Sequence, residues 1–192
     1  MRSRLSGCRV AALVADGFEQ VELTEPLTAL RASGADPRIV SPVDTAQVKG
    51  WKHTAWGDSF DVDVHLADAE PDDYDALLLP GGVMNPDTLR ADPGAVSFVR
   101  AFFDAGKPVA AICHGAWTLI DAGVVSGRRM TSYPSIKTDL ENAGADWVDA
   151  EVVVDRGLVT SRKPDDLAAF NRKMLEEFAE GRDHARREAR PS

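Results

Sequence analysis

The sequence predicts an α/β fold with a mainly parallel central sheet and helices on both faces. Three observations carry that prediction. Short β-rich apolar runs alternate with segments of helical period along most of the 192 residues. The runs, at 8–15, 37–41, 75–80 and 108–113, are nearly continuous in apolar residues, as strands covered on both faces are. The last of them passes directly into Cys113-His114-Gly115 and then a helical pattern, the strand–turn–helix order of a nucleophile elbow.

The elements follow in order. Run 8–15 leads into an acidic turn, Asp16-Gly17-Phe18-Glu19-Gln20-Val21-Glu22, and a helix over 22–33. Residues 48–65 contain Gly50 and Gly57, and Phe60, Val62 and Val64 alternate with polar residues, the pattern of a small antiparallel excursion. Run 75–80 ends at Pro80-Gly81-Gly82. A helix over 93–105 places Val96, Val99, Phe102 and Phe103 at spacings of three and four on one face. Residues 151–161 read as a hairpin turning at 155–157. The last helix begins near Pro164, which suits a first turn, and Asp165 and Asp166 complement its N-terminal dipole. Leu167, Phe170, Met174 and Phe178 form its buried stripe, which ends at Gly181. Residues 1–181 therefore read as one domain and 182–192 as a disordered basic tail.

A chain of this length buries roughly 70% of its extended surface without disulfides or a structural metal. At 44% hydrophobic and 28% charged it is neither disordered, collagenous nor membrane-spanning. The net charge of −9 and the lack of a basic stripe argue against sequence-specific nucleic acid or an anionic membrane surface as partner. The opening basic residues and apolar run resemble a signal peptide but continue into an acidic segment without a small-residue cleavage site. They read as the first buried strand of a cytoplasmic protein. The two cysteines, Cys8 and Cys113, form neither a disulfide framework nor a zinc spacing.

Cys113 is the candidate nucleophile. The helix start after it offers partial positive charge and free N–H groups, which lower a thiol pKa and hold an oxyanion. A cysteine ending a strand is also an ordinary small core residue; the adjacent His114 and Gly115 favour the reactive reading. Gly81 and Gly82 open onto the same crevice if their strand neighbours the one ending at Cys113, and the Gly82 N–H then pairs with one near His114 as an oxyanion hole. Each acidic residue of the first turn is ordinarily a dipole complement. Glu19, following the apolar Phe18, is the choice for a buried carboxyl that donates a hydrogen bond to the thiolate. Trp117 either walls the pocket or fills the core. Trp51, Trp56 and Trp147 read as packing, and His53, His65 and His184 as surface residues without metal-ligand spacing. Neither GxGxxG nor a P-loop occurs, so no cofactor and no metal are expected.

Together, ADGFEQVELTEP, YDALLLPGG, GKPVAAICHG, TSYPSIKTDLENAGA and EVVVD…LVTSRKPDDLAAF make the chain resemble the ThiJ/PfpI superfamily over about 8–178. Within it the likeness is to the branch of PfpI-like intracellular peptidases and bacterial stress proteins. The resemblance implies a flavodoxin-like, Rossmann-like sandwich with Cys113 as nucleophile on its elbow. It puts the family's buried glutamic acid at Glu19 and the oxyanion donors at Gly82 and His114. It also implies a homodimer or higher homo-oligomer with the site near the interface, where an acidic residue of a neighbouring subunit pairs with His114. That position aligns with Pro86-Asp87, where Asp stands in place of the peptidase-type Glu. The activity implied is that of a cysteine-dependent stress enzyme acting on α-oxoaldehydes such as methylglyoxal, or on their adducts with proteins and nucleic-acid bases. Alternatives are an intracellular cysteine peptidase taking unfolded protein, and a redox sensor or chaperone working through Cys113 oxidation.

Overall fold

The computed structural model describes residues 4–188 along the backbone and side chains through Asp183. The chain runs β1 (Arg9–Leu13), β2 (Phe18–Glu19), α1 (Gln20–Ala32), β3 (Asp36–Ser41), β4 (Gln47–Lys52), β5 (Ala55–Asp61), β6 (Val64–His65), β7 (Ala76–Leu79), α2 (Met84–Ala91) and α3 (Pro93–Asp104). It continues with β8 (Val109–Ile112), α4 (Ala116–Asp121), β9 (Arg129–Met130), α5 (Lys137–Asn142), β10 (Asp146–Trp147), β11 (Val153–Asp155), β12 (Leu158–Ser161) and α6 (Leu167–Glu188).

Seven strands form the central sheet in the order β11-β12-β8-β7-β1-β3-β6. All its pairings are parallel except the β11–β12 hairpin at one edge. The continuous apolar runs have a direct cause. Alternate residues of a strand point to opposite faces, and both faces are covered. Ala11, Leu13, Leu77, Leu79 and Ala111 pack with Phe98 and Phe102 of α3 and Leu119 of α4. Val10, Ala12, Leu78, Ala110 and Ile112 pack with Leu23 and Leu30 of α1 and Phe170, Met174 and Phe178 of α6. The α/β sandwich expected from the sequence is thus present.

The excursion at 48–65 is an antiparallel β4–β5 pair, extended by β2 running parallel to β4 into a separate three-stranded sheet. Val64–His65 does not belong to it: β6 returns to the main sheet beside β3. The chain end differs more. The last helix does not stop at Gly181 but continues through Glu188. Gly181 serves close approach rather than termination, since a Cβ there would lie 2.8 Å from Cδ and Cγ of Pro108. At the next residue, the Arg182 guanidinium donates to the Ser6 carbonyl and ties the helix to the N-terminal segment. The disorder expected of 182–192 is therefore replaced by helix as far as 188; residues 189–192 lie outside the described residues. Among the described residues no helix is long and apolar enough to cross a membrane.

Strands β1, β7 and β8 are adjacent and parallel. Their C-terminal ends therefore deliver the acidic turn, the Gly81-Gly82 loop and Cys113 to one crevice, where open α/β sheets bind ligands.

Candidate active site

The elbow forms because β8 ends in extended backbone at Ile112 and the chain then reverses within a 3-10 turn, Cys113–Gly115, before α4. Cys113 takes φ 62°, the left-handed region that a residue with a Cβ seldom occupies. Such strain persists only where packing over-determines it. Here Tyr133 N–H donates to the Cys113 carbonyl at 3.2 Å, and the side chain is 7% exposed.

Around the sulfur, the main-chain N–H groups of His114 and Gly82 both favour its charged form. His114 Nδ1 lies 3.2 Å from Sγ. Against the thiol lies the carboxyl of Glu22, whose side chain is fully buried. Glu22 Oε2 accepts the Gly81 N–H at 2.9 Å, and Oε1 has no hydrogen-bond partner of standard geometry among the described residues. Gly81 is required by this closeness. A Cβ on it would stand 2.5 Å from Glu22 Oε2 and 2.6 Å from Cys113 Cβ. The loop is braced by buried Asn85, which donates to the Pro80 and Gly81 carbonyls at 3.0 Å each and accepts the Ala15 N–H at 2.7 Å.

Burial dominates the protonation of this cluster. It pushes the Glu22 carboxyl up from 4.5 to about 8, against the Gly81 hydrogen bond and with help from the nearby charge of Glu19. Most Glu22 side chains are therefore neutral at pH 7. Burial, followed by the charge of Glu22, also pushes the Cys113 thiol up, and the N–H groups of His114 and Gly82 pull it down only in part. The expectation that the helix start alone yields a depressed thiol pKa is thus reversed: the N–H groups are in place, but desolvation outweighs them. Burial lowers the His114 pKa, which keeps the imidazole neutral.

The expected site residues are only partly those that meet. Cys113, His114 and Gly82 come together as anticipated. Glu19 does not reach the thiol; Glu22 does. Glu19 ends β2 and turns its carboxylate to the pocket mouth, where Oε2 accepts the His53 N–H at 3.4 Å and Oε1 lies 3.9 Å from His53 Nδ1. Glu22 begins the inward stripe of α1 shared with Pro26 and Leu30. A glutamate on an otherwise apolar helical stripe is the signal by which the sequence marks it. Gly81 spends its N–H on Glu22, which leaves Gly82 as the donor of the pair. Trp117 does not wall the pocket. Its ring packs edge-on to His114 at 5.2 Å, behind the imidazole, and Nε1 donates to Asp139 at 2.8 Å. Asp87 is exposed in the first turn of α2, and within the chain the second nitrogen of His114 meets Ser135 Oγ at 3.1 Å.

The crevice above Cys113 has a volume of about 570 Å³, and Trp51, His53, Met84, Tyr133 and Pro164 form its walls and mouth. Tyr133 stacks on His114 at 4.7 Å with 25° between ring planes. His53, which reads as a surface residue, is exposed but sits at the hairpin tip with φ 53° and faces the crevice. Trp51 is likewise pocket lining rather than packing alone. Tyr133, Ser135, Asn85 and Glu22 carry no distinctive local pattern except the stripe of Glu22, and long-range folding brings them here.

The model of the DJ-1/PfpI family matches residues 8–177. Among curated proteins, general stress protein 18 of Bacillus subtilis is 46% identical over 170 residues, covering 88% of this chain and 96% of its own. Protein/nucleic acid deglycase 2 of Escherichia coli is 46% identical over 168 residues, covering 87% and 95%. Among solved structures, Drosophila melanogaster DJ-1beta superposes with a TM-score of 0.82 at 30% identity, covering 90% of this chain and 91% of that one.

Proposed function

The chain belongs to the DJ-1/PfpI family, and from that membership we propose that it is a stress enzyme converting α-oxoaldehydes such as methylglyoxal to 2-hydroxy acids through Cys113. The observation carrying this reading is a buried thiol held between a neutral imidazole and a carboxyl that titrates near 8. Groups that exchange protons near working pH are what an internal redox isomerisation needs, because it moves protons and hydrogen within one substrate.

Of the two groups beside the sulfur, His114 Nδ1 takes the thiol proton. Glu22 is mostly protonated at neutral pH and has little capacity to accept it. The proton leaves as the C–S bond forms, since the resting thiol is too weak an acid to ionise in advance. The carbonyl electron pair moves to oxygen beside the N–H groups of Gly82 and His114. The imidazolium then returns the proton to that oxygen, giving a hemithioacetal.

Isomerisation uses both flanking groups. His114 removes the proton from the carbon bonded to sulfur while Glu22 protonates the neighbouring carbonyl oxygen, producing an enediol. The imidazolium next protonates the second carbon, and the Glu22 carboxylate takes the remaining hydroxyl proton. The product is a thioester of the hydroxy acid, with Glu22 neutral again. Water cleaves it and restores the thiol. The relative named as a deglycase supports extending the substrate class to aldehyde adducts of proteins or nucleic acids.

Hydroxy-acid formation from methylglyoxal in amine-free buffer, by native protein beside Cys113→Ala, tests the proposal. Turnover is expected in the native protein and none in the variant. Equal turnover in both would sink the cysteine mechanism. Cleavage of unfolded protein without hydroxy acid would move the assignment to peptide bonds.

A further inference from the structure

Asn85 lies in the first turn of α2 with no exposed surface, an unusual burial for a polar side chain. A side-chain amide offers two N–H donors on its nitrogen and an acceptor on its oxygen. Both ends of Asn85 are used. Oδ1 accepts the Ala15 N–H at 2.7 Å, and Nδ2 donates to the Pro80 and Gly81 carbonyls at 3.0 Å each. Reversing the amide would set its oxygen against two carbonyls and its nitrogen against an N–H, so the partners themselves fix its orientation.

The two carbonyls belong to consecutive peptide units, 80–81 and 81–82. A peptide unit is planar and trans, so its C=O and N–H point in opposite directions. The unit that offers the Pro80 oxygen to Asn85 presents the Gly81 N–H to Glu22 Oε2, at 2.9 Å. The next unit offers the Gly81 oxygen to Asn85 and presents the Gly82 N–H, which favours the charged forms of both Cys113 and Glu22. Both units are built on glycine, the residue that rotates most freely. A side chain cannot stiffen this loop: a Cβ on Gly82 would stand 2.7 Å from the Glu19 nitrogen. The Glu19 N–H also approaches the Gly81 carbonyl, but at 3.4 Å it is a weak restraint.

We propose that Asn85 is the positioning residue of the glycine loop: its amide nitrogen grips the Pro80 and Gly81 carbonyls and thereby aims the Gly81 N–H at Glu22 and the Gly82 N–H at the reacting centre. The second half of this role rests on the reading of Gly82 as an oxyanion donor in the Cys113 chemistry.

An oxyanion donor works because it is already aimed where charge develops and does not have to reorganise during the reaction. Asn85 supplies that fixity from behind the loop. Each hydrogen bond it gives to a carbonyl also polarises the peptide unit and strengthens the N–H at the other end. One side chain thus serves the carboxyl and the oxyanion together, touching neither substrate nor sulfur. Its link to Ala15 ties the loop to the end of β1, the strand that leads into the acidic turn.

The test uses the native full-length chain, Asn85→Ala and Asn85→Ser, the serine keeping one O–H donor for one of the two carbonyls. Two readouts do not depend on the substrate: NMR exchange of the Asn85 side-chain amide protons in native protein, and the pH profile of Cys113 alkylation by iodoacetamide, read on the Cys113 peptide by mass spectrometry. The native amide protons are expected to resist exchange. In Asn85→Ala, alkylation is expected to be slower by about tenfold from roughly pH 7 to 10, because a misaimed Gly82 N–H stabilises less thiolate. Loss of packing alone would open the crevice and speed alkylation. With methylglyoxal, kcat is expected to fall by about ten- to hundredfold with KM little changed, and Asn85→Ser to lie between Asn85→Ala and native. Freely exchanging native amide protons would overturn the proposal whether or not either variant folds. So would unchanged or faster alkylation in a folded Asn85→Ala. Native protein that makes no hydroxy acid, beside an Asn85→Ala whose alkylation is slowed as expected, would defeat the functional reading while leaving the role of Asn85 intact.

Discussion

Two glutamates three residues apart sit in the same crevice, yet the floor and the mouth of that crevice treat them differently. On the floor, Glu22 is sealed against Cys113, bonded through one oxygen to Gly81 N–H and carried far above the ordinary carboxyl range. At the mouth, Glu19, its own side chain 11% exposed, meets the main chain and imidazole of His53, whose side chain is 75% exposed and carries the pair to solvent. Both carboxyls lie near a second titratable group. What separates them is solvent. With water excluded, the charged form is penalised and the group becomes a proton donor at neutral pH; where water reaches the pair, screening weakens the interaction. Chemistry is thus assigned by depth rather than by residue type or by the presence of a neighbour.

The contrast is sharpened first by Glu22→Gln. The amide keeps an oxygen to accept the Gly81 N–H but neither gives nor takes a proton, so kcat is expected to fall by about a hundredfold. Steady-state kinetics with methylglyoxal reads this directly, and a loss under about threefold would show that Glu22 is a packing group.

The second consequence concerns stability. The Glu22 carboxyl titrates at about 8 when folded and near 4.5 when unfolded. Between those values the folded state binds more proton than the unfolded one, so unfolding free energy decreases as pH rises. The contribution of neutral Glu22 is whole below pH 4.5 and is lost progressively up to about pH 8. Glu22→Gln has no such slope. Its melting temperature relative to native protein should therefore be higher at pH 8 than at pH 5, and denaturation at both values checks the sign. A constant difference would mean that the carboxyl is not held neutral.

The smallest effect is expected at the mouth. Glu19→Gln retains a group able to accept the His53 N–H, and a pair with one largely exposed partner contributes little, so kcat should stay within about threefold of native with any change in KM. A kcat loss matching that of Glu22→Gln would erase the distinction between floor and mouth.

Much of this was legible from local pattern. The apolar runs located β1, β3, β7 and β8 to within about two residues, because burial on both faces of a sheet leaves a continuous signature. The order strand, Cys113-His114-Gly115, helix marked the elbow, and the 155–157 turn appears between β11 and β12. The choice of Glu19 over Glu22 failed because both are acidic residues of one turn, and only the direction of α1 distinguishes them. The helix beyond Gly181 was hidden for a related reason. A glycine at a helix stop and a glycine permitting contact with Pro108 read alike until Pro108 is in place.

By itself the sequence determined the sandwich, its strand segments, the position of the nucleophile and the glycine loop opposite it, all of which depend on periodicity and on neighbours a few residues away. Only the tertiary structure decided which carboxyl meets the thiol, which hydroxyl meets His114 and how each group holds its protons. Those properties come from residues as distant along the chain as Glu22 and Gly81, or Gly82 and Cys113, brought into one pocket from which water is largely excluded. Desolvation acts through the whole assembled environment, so no short window of sequence contains it.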